Sequence, residues 1–286
     1  MNIFLTGSNG YLGRNFLKKA IKKGHKIFAV TRKRDNEKIK NVKWLVGSID
    51  KDWKELKNSE VLVHLAAEGV NHKLTSFEKC YNFNVLKSSK LINNALNYNC
   101  KKWLIVSSKK EKKLNNLQFN SKIIKKYSST PDFNYAFSKA LFSKICLRLS
   151  LQQHIKCRII RLFHVYGGDE KKTRLWPSII HAAKKNKNFK MTSGKQITDF
   201  NYIDDVTDGL IEAINFNKKK KEYPQQWDMA SGKKMSVKKF ASLIWKHLKP
   251  SSKILYSKIK FYDKENYKVD NKIFWKLKYT KPEKLL

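Results

Sequence analysis

A tyrosine and a lysine stand four residues apart in the segment Tyr135-Ala136-Phe137-Ser138-Lys139. In a helix this spacing is about one turn, so the phenol and the ammonium project from the same face. An ammonium beside a phenol stabilises the phenolate, which lets the tyrosine exchange a proton with a carbonyl group near neutral pH. The pair therefore predicts acid-base chemistry, although the same spacing also arises by chance on surface helices of a lysine-rich chain.

Two hydroxyl side chains, Ser107 and Ser108, follow the apolar residues Ile105 and Val106. This pattern predicts a strand whose carboxyl end opens into the crevice where doubly wound α/β sheets bind their ligands. A serine at that point can hydrogen-bond the same substrate oxygen as the tyrosine.

A glycine-rich turn lies near the start of the chain. The segment Thr6-Gly7-Ser8-Asn9-Gly10-Tyr11-Leu12-Gly13 follows an apolar run over residues 3–5 and enters a helical pattern that Gly24 ends before a second apolar run, 27–30. Glycines at this spacing allow a tight turn and close approach of a pyrophosphate, which the N-terminal dipole of the helix then favours. These elements predict a βαβ unit that binds a dinucleotide.

The other apolar runs predict an α/β fold, a doubly wound Rossmann-type parallel sheet with a smaller C-terminal substrate-binding lobe. We expect a dinucleotide-binding domain over residues 1–166 and a nucleotide-sugar-binding lobe over 167–286, some segments of which return to the core. Further strands are predicted over 42–46, 60–65, 103–106, 155–162, 226–229 and 254–256. Further helices are predicted over 52–56, 75–98, 135–153, 177–185, 204–215 and 237–248.

Composition bounds the class of protein. With 286 residues and 41% hydrophobic content the chain can bury a sizeable core. The absence of an apolar run of about 18 residues, together with a first strand at the very start, predicts a cytoplasmic protein without a signal peptide or membrane insertion. Cys80, Cys100, Cys146 and Cys157 lack metal-ligand spacing, so we expect reduced, half-buried thiols and no metal site.

The formal net charge of +39 would attract any polyanion. The lysines are nevertheless spread along the whole chain, and abundant Lys, Asn and Ile are typical of an AT-rich coding sequence. We therefore expect no specific nucleic-acid partner, and we expect the positive field to help attract an anionic cofactor and substrate. A catalytically silent nucleotide- or polyanion-binding protein is the alternative from another functional class.

Together these residues resemble the extended branch of the short-chain dehydrogenase/reductase superfamily, the NAD(P)-dependent nucleotide-sugar epimerases, dehydratases and reductases. Four further motifs match in family order, His64-Leu65-Ala66-Ala67, Asn82-Phe83-Asn84-Val85, Arg161-Leu162-Phe163-His164-Val165-Tyr166-Gly167 and the segment from Asp199 to Val206. The resemblance extends from residue 1 to about residue 240.

The resemblance implies a role for each matching residue. Tyr135 would be the proton donor or acceptor, Lys139 would lower the pKa of that phenol and bind the ribose hydroxyls, and Ser108 would orient the sugar carbonyl. Contacts to the cofactor are implied for Gly7, Asn9, Gly10, Tyr11, Leu12, Thr31, Arg32, Asp50, Leu65, Ala66, Ala67 and Asn84, besides Tyr135 and Lys139. Contacts to the substrate are implied for Ser107, His164 and Arg174.

Two of these positions have an alternative. Ser107 could replace Ser108, because relatives often carry three small polar residues at this strand end. His164 stands where an asparagine is common, and it could equally be an ordinary hydrogen-bonded histidine.

Departures from the family pattern favour one kind of cofactor and reaction. Thr31-Arg32-Lys33-Arg34 stands where NAD-preferring members carry an acidic residue, which favours NADP(H) while leaving NAD(H) possible. The segment Ser48-Ile49-Asp50 lacks the acidic residue that relatives usually carry before the hydrophobic residue. The contact of Asp50 with the adenine of the cofactor could therefore differ. Lys109-Lys110 replaces the Asp-Glu pair of the 4,6-dehydratases, so elimination is disfavoured.

The segment with Arg174, Trp176 and Pro177 is similar to the CDP-abequose synthase-like 4-ketoreductases, which make CDP-linked 3,6-dideoxyhexoses. We therefore expect NADPH-dependent reduction of a nucleotide-linked 4-keto-6-deoxyhexose for an O-antigen-like surface polysaccharide. A nucleotide-sugar epimerase with tightly bound NAD is the alternative within the family. A homodimer is also implied, because relatives commonly dimerise through the helix that bears the tyrosine and the helix before it.

Overall fold

The computed structural model describes residues 1–33, 38–70, 75–114, 132–217, 222–257 and 274–286. Arg34, which ends the basic segment after the second predicted strand, lies outside the described residues. The chain divides into two compact units. One contains Met1–Arg161 with Leu210–Trp227, and the other contains Leu162–Gly209 with Asp228–Leu286.

Strands and helices alternate through much of the chain. The strands are β1 (Asn2–Thr6), β2 (Lys26–Thr31), β3 (Val42–Val46), β4 (Val61–His64), β5 (Lys102–Ser108), β6 (Lys156–Leu162), β7 (His164–Tyr166), β8 (Phe189–Met191), β9 (Ile197–Tyr202), β10 (Gln225–Ala230), β11 (Lys234–Ser236), β12 (Ile254–Tyr256) and β13 (Phe274–Lys276). The α-helices are α1 (Tyr11–Lys22), α2 (Phe77–Tyr81), α3 (Ser88–Asn97), α4 (Phe133–Gln152), α5 (Leu175–Lys184), α6 (Ile203–Ala213) and α7 (Val237–Leu248).

The first unit is built on a parallel sheet with the order β6-β5-β4-β1-β2-β3. β1 pairs in parallel with β2 and β4, and β2 and β4 continue the sheet to β3 and β5. The strand order reverses at β1 and β4, which is where a doubly wound sheet binds its ligand. The predicted Rossmann-type fold class is confirmed.

The core of this unit packs apolar side chains from the sheet against the flanking helices. Phe4, Leu62 and Trp103 on the strands and Phe142 on α4 are all essentially inaccessible to solvent.

The four cysteines are also fully buried rather than half-buried, with exposures of at most 2%, and they are free thiols.

The second unit holds smaller sheets. β7 pairs in parallel with β9, β9 pairs antiparallel with β11, and β8 pairs with β12. The last residues of β10 pair with β13. Its core is aromatic, and the rings of Phe200 and Phe240 stack with centroids 3.9 Å apart. No helix in the described parts of either unit is both long enough and apolar enough to span a bilayer.

Most predicted elements are present with ends shifted by a few residues, but the helix predicted over 75–98 is wrong as a single α-helix. A stretch of π-helix, Asn82–Lys87, separates α2 from α3. Within it Asn84 turns inward and is buried. The helix predicted over 52–56 is a 3₁₀ turn, Lys54–Asn58. The sequence patterns do not predict the strands β7, β8, β9, β11 and β13.

Glycines allow β1 to turn directly into α1. Gly7 has φ +76°, and a Cβ there would lie 2.7 Å from the backbone nitrogen of Ala66. A Cβ on Gly13 would lie 1.9 Å from the carbonyl oxygen of Gly7. The loop therefore packs against the residues after β4 at a separation that only glycine permits.

Gly24 provides a matched control for Gly7. Its φ is +77°, but a Cβ there would meet nothing within 4 Å among the described residues. We expect Gly24→Ala to lower the free energy of unfolding by about 1–2 kcal/mol, the cost of left-handed backbone. Gly7→Ala should cost about 2 kcal/mol more, because its methyl group also overlaps backbone atoms. Urea denaturation of both variants measures this difference, and equal destabilisation would contradict the packing argument.

Candidate active site

The N-terminus of α1 is suited to an anion. Gly10 is its N-cap, so no side chain caps the first turn, and that turn contains no acidic residue. The N–H groups and the positive end of the helix dipole at such a terminus bind phosphate. The closely packed glycines Gly7, Gly10 and Gly13 form a glycine cradle at this terminus, and together they fit a dinucleotide.

The loop is fixed to β2 by two hydrogen bonds. Ser8 Oγ donates to the Val30 carbonyl oxygen at 2.8 Å, and Asn9 Nδ2 donates to Thr31 Oγ1 at 2.8 Å. Arg32 follows directly and is exposed. The structure therefore brings together Asn9, Thr31 and Arg32, three of the residues predicted to contact the cofactor, at one end of the sheet.

The segment after β4 adjoins the glycine loop. The Leu65 backbone nitrogen donates to the Thr6 carbonyl oxygen at 3.2 Å, and Ala66 lies against Gly7. Asp50, after β3, contacts the Ser48 hydroxyl and lies 3.7 Å from Lys87 Nζ. Leu65, Ala66 and Ala67 thus lie beside the cradle, whereas Asp50 pairs with a lysine from the π-helical stretch.

Helix α4 presents Tyr135 and Lys139 one turn apart, as predicted. Tyr135 is half-buried, whereas Lys139 is fully buried and its Nζ donates to the Val106 carbonyl oxygen on β5 at 2.6 Å. Burial lowers the pKa of Lys139 to about 8, against which the charge of Glu111 acts to raise it. Near neutral pH the lysine therefore remains largely protonated one turn from the phenol.

The two serines at the end of β5 have different environments. Ser107 is buried, and its Oγ donates to Glu111 Oε2 at 2.5 Å. Ser108 is half-buried, and its Oγ accepts from the Lys110 backbone nitrogen at 3.3 Å at the start of a 3₁₀ helix, Lys109–Lys113. Adjacent strand residues point to opposite faces, so a buried Ser107 leaves Ser108 on the accessible side.

Asn84 is held by hydrogen bonds inside the protein. Its Oδ1 accepts from the Glu68 backbone nitrogen at 2.8 Å, and its Nδ2 donates to the Glu68 carbonyl oxygen and to Ser138 Oγ, both at 2.9 Å. The amide therefore links the loop after β4 to α4 beside Tyr135. These hydrogen bonds fix α4 against the loop after β4. The contact of Asn84 with a cofactor stays a prediction.

His64 is a second buried polar group beneath the site. Its Nδ1 lies 2.8 Å from Thr6 Oγ1 and its Nε2 lies 3.2 Å from Ser88 Oγ. Burial, followed by the charge of Lys139, lowers the pKa of His64 to about 3. The imidazole is therefore neutral and joins β1, β4 and α3 at the base of the glycine loop.

Sequence reasoning missed Glu111, which is completely buried among the side chains that adjoin Lys139. Its signal in the sequence is faint, a lone acid within Lys109-Lys110-Glu111-Lys112-Lys113. That run is typical of a solvated segment, and only the structure shows that the carboxylate turns inward.

Two residues predicted to bind substrate belong to the second unit. His164, on β7, packs its ring against Phe200 with centroids 4.8 Å apart. Arg174, at the N-cap of α5, pairs with the buried Glu170 through Nε and Oε1 at 3.1 Å. Both side chains are partly exposed, so each retains surface that could meet a ligand.

Comparison with known proteins identifies the family. The NAD dependent epimerase/dehydratase family matches residues 3–227 of this chain, which is most of its length. The family resemblance predicted from dispersed motifs is confirmed, as is the prediction of an enzyme.

Two characterised relatives modify nucleotide sugars according to their names. CDP-abequose synthase of Salmonella typhimurium is 27% identical over 262 residues, which cover 89% of this chain and 83% of that protein. The dTDP-6-deoxy-L-talose 4-dehydrogenase (NAD(+)) of Aggregatibacter actinomycetemcomitans is 25% identical over 224 residues, covering 75% and 80% respectively.

Solved structures share the fold. UDP-N-acetylglucosamine 4-epimerase from Methanobrevibacter ruminantium M1 superposes with a TM-score of 0.81 at 20% identity, covering 99% of this chain and 95% of that one. The dTDP-glucose 4,6-dehydratase of Bacillus anthracis has a TM-score of 0.75 at 17% identity, covering 100% and 94%. At this level of identity the likeness establishes the architecture alone.

Proposed function

The chain belongs to the NAD-dependent epimerase/dehydratase family of nucleotide-sugar enzymes, and from this premise we propose that it reduces a nucleotide-linked 4-keto-6-deoxyhexose with NADPH. The similarity to CDP-abequose synthase over most of both chains supports a sugar of this class. The product would serve the biosynthesis of a surface polysaccharide.

The observation that carries the chemistry is the packing of α4 on β5. The Lys139 ammonium is held at the Val106 carbonyl oxygen, one turn from Tyr135, and Ser108 emerges two residues after Val106 on the same strand. The phenol, the ammonium and the hydroxyl are thereby placed by two rigid elements rather than by flexible loops.

Each residue then has a defined part in the reaction. Ser108 hydrogen-bonds the C4 carbonyl oxygen of the sugar, and Tyr135 donates a proton to that oxygen as charge develops on it. Lys139 stabilises the phenolate that remains. Gly7, Gly10 and Gly13 would help to hold NADPH, which would supply the hydride that reduces C4.

The family supports a nicotinamide cofactor, and we propose NADP(H) rather than NAD(H). Thr31 Oγ1 donates to the Lys33 carbonyl oxygen at 2.8 Å, which shapes the turn after β2. Exposed Arg32 and Lys33 supply positive charge there, where a ribose 2′-phosphate would lie in a fold of this kind. A guanidinium can bind a phosphate through two parallel hydrogen bonds.

The remaining assignments stay predictions. We propose that Ser107, His164 and Arg174 contribute to nucleotide-sugar binding, and that the enzyme works in the cytoplasm.

We also propose a homodimer, supported by apolar side chains exposed on the first unit. Phe77 is 47% exposed on α2 and Leu151 is 64% exposed on α4. Sedimentation equilibrium distinguishes the dimer from a 33.6 kDa monomer, and a monomer at micromolar concentration would contradict it.

Replacing Tyr135 tests the proton donor. We expect Tyr135→Phe to lower kcat at least about 100-fold, because the phenyl ring cannot donate a proton to the sugar oxygen. The dissociation constant for NADPH should change little. Tyr98→Phe is the control, since the Tyr98 hydroxyl donates to Asp52 at the surface. Retention of turnover by Tyr135→Phe would refute the assignment.

Replacing Arg32 tests the cofactor preference. We expect Arg32→Glu to weaken NADPH binding about tenfold or more and to leave NADH binding the same or tighter, because only NADPH carries the 2′-phosphate. Arg148→Glu, at an exposed position on α4, changes the net charge equally and serves as the control. Fluorescence titration with both cofactors provides the measurement. Equal losses for NADPH and NADH would show that Arg32 does not read the phosphate.

A further inference from the structure

Glu111 is a carboxylate in the interior of a protein that is otherwise strongly basic. Its side chain has no exposure, and three donors bind it. Ser107 Oγ and Ser143 Oγ donate to Oε2 at 2.5 and 2.8 Å, and Gln226 Nε2 donates to Oε1 at 2.7 Å. Since a buried charge is costly unless it is hydrogen-bonded and paired, such a complete set of donors indicates a carboxylate with a specific role.

The donors come from separate elements of the first unit. Ser107 lies at the end of β5, Ser143 on α4 and Gln226 on β10, and Arg161 Nε on β6 lies 3.9 Å from Glu111 Oε1. Burial raises the pKa of Glu111 above its usual range, whereas the hydrogen bonds from Ser107 and Ser143 and the charges of Arg161 and Lys139 oppose the rise.

One face of α4 brings Glu111 close to Lys139. Tyr135, Lys139 and Ser143 follow one another at intervals of four residues and so lie along one face. Opposite them, Val106 accepts from Lys139 and Ser107 donates to Glu111 at successive positions of β5. The carboxylate therefore lies one turn from the ammonium on the side away from Tyr135.

We propose that Glu111 is a positioning residue for the active site, where its buried carboxylate holds the end of β5 against α4 and keeps the Lys139 ammonium charged. This inference rests on the proposed function, because it concerns the lysine assigned to that reaction. Nothing requires Glu111 to touch the sugar or the cofactor.

The charged and titratable groups around Lys139 determine the sign of the effect. Burial disfavours the ammonium, and the charge of Glu111 favours it. The nearby thiol of Cys146 is uncharged where Lys139 titrates, because burial raises the pKa of that thiol well above its usual range. Arg161 Nε lies 3.9 Å from Glu111 Oε1, and the neutral His64 is close enough to Lys139 for the ammonium to act on its pKa. Removing the charge of Glu111 therefore lowers the pKa of Lys139 below about 8, so the ammonium is lost at a lower pH.

Glu111→Gln tests this directly, because it removes the charge and keeps the shape. We expect wild-type affinity for NADPH to fall as the pH rises through about 8, where Lys139 loses its proton. In Glu111→Gln the midpoint of that fall should move about one pH unit or more to the acid side, with affinity close to wild type at pH 6. Glu111→Asp, which retains a carboxylate, should restore the wild-type midpoint.

Ser143→Ala separates charge from packing, because it removes a neutral donor from the same carboxylate oxygen. Its midpoint should stay at the wild-type pH. An unmoved midpoint in Glu111→Gln, or equal shifts in Glu111→Gln and Ser143→Ala, would overturn the proposal. Because the readout is cofactor affinity, it remains informative even if no 4-keto sugar is reduced, so the two proposals can fail separately.

A titration of the wild-type protein covers the case in which Glu111→Gln does not fold. In protein labelled with ¹³C-lysine, and with Lys139 assigned through Lys139→Arg, the Lys139 resonance should titrate near pH 8. It should also show a smaller inflection at acid pH, where Glu111 takes up a proton. Absence of that second inflection would show that the carboxylate does not act on the lysine.

Discussion

The burial of the Lys139 ammonium is the constraint on which the arrangement of the candidate active site depends. Lys139 is the only buried lysine among the residues that the structure describes. Moving its charge out of water is unfavourable without hydrogen bonds and opposite charge, which the Val106 carbonyl and Glu111 provide. Because Tyr135 lies one turn away on the same helix, the contact that satisfies the lysine also fixes where the phenol meets the end of β5.

Three buried polar side chains hold in place the elements that carry the residues proposed to bind a ligand. They need not touch the ligand themselves. His64 joins β1 to β4 and α3, Asn84 joins the loop after β4 to α4, and Glu111 joins the end of β5 to α4. Each of these side chains is buried and forms hydrogen bonds to two different elements. A shift of one element would therefore leave a buried polar group without its hydrogen bond. The chain has a net charge of +39, and most of the lysines in the described part of the chain are exposed and lie outside this network.

Periodic patterns explain why much of this fold could be predicted from the sequence. The strand over 42–46 and the helix over 237–248 have the predicted ends, because their apolar spacing is regular and their boundaries are polar. The glycine loop and the Tyr135–Lys139 pair could be placed because local spacing alone brings their atoms together. By contrast, the inward turn of Asn84 and the burial of Glu111 depend on partners distant in sequence. A lysine-rich run around Glu111 predicts exposure, and only the packing of α4 on β5 reverses that expectation.

We propose that hydride passes from the cofactor to the sugar and leaves with the product, while Tyr135 protonates the sugar oxygen. The most direct test is to incubate the enzyme with NADPH deuterated at the transferable position and a panel of nucleotide-linked 4-keto-6-deoxyhexoses, and to analyse the sugar by NMR and mass spectrometry. We predict one deuterium at C4 of the product for each NADP⁺ formed. The matching 4-hydroxy sugars are tested alongside. If the 4-keto sugars stay unreduced and a 4-hydroxy sugar is converted to its 4-epimer without consuming NADPH and without taking up deuterium, the protein is an epimerase and not a reductase.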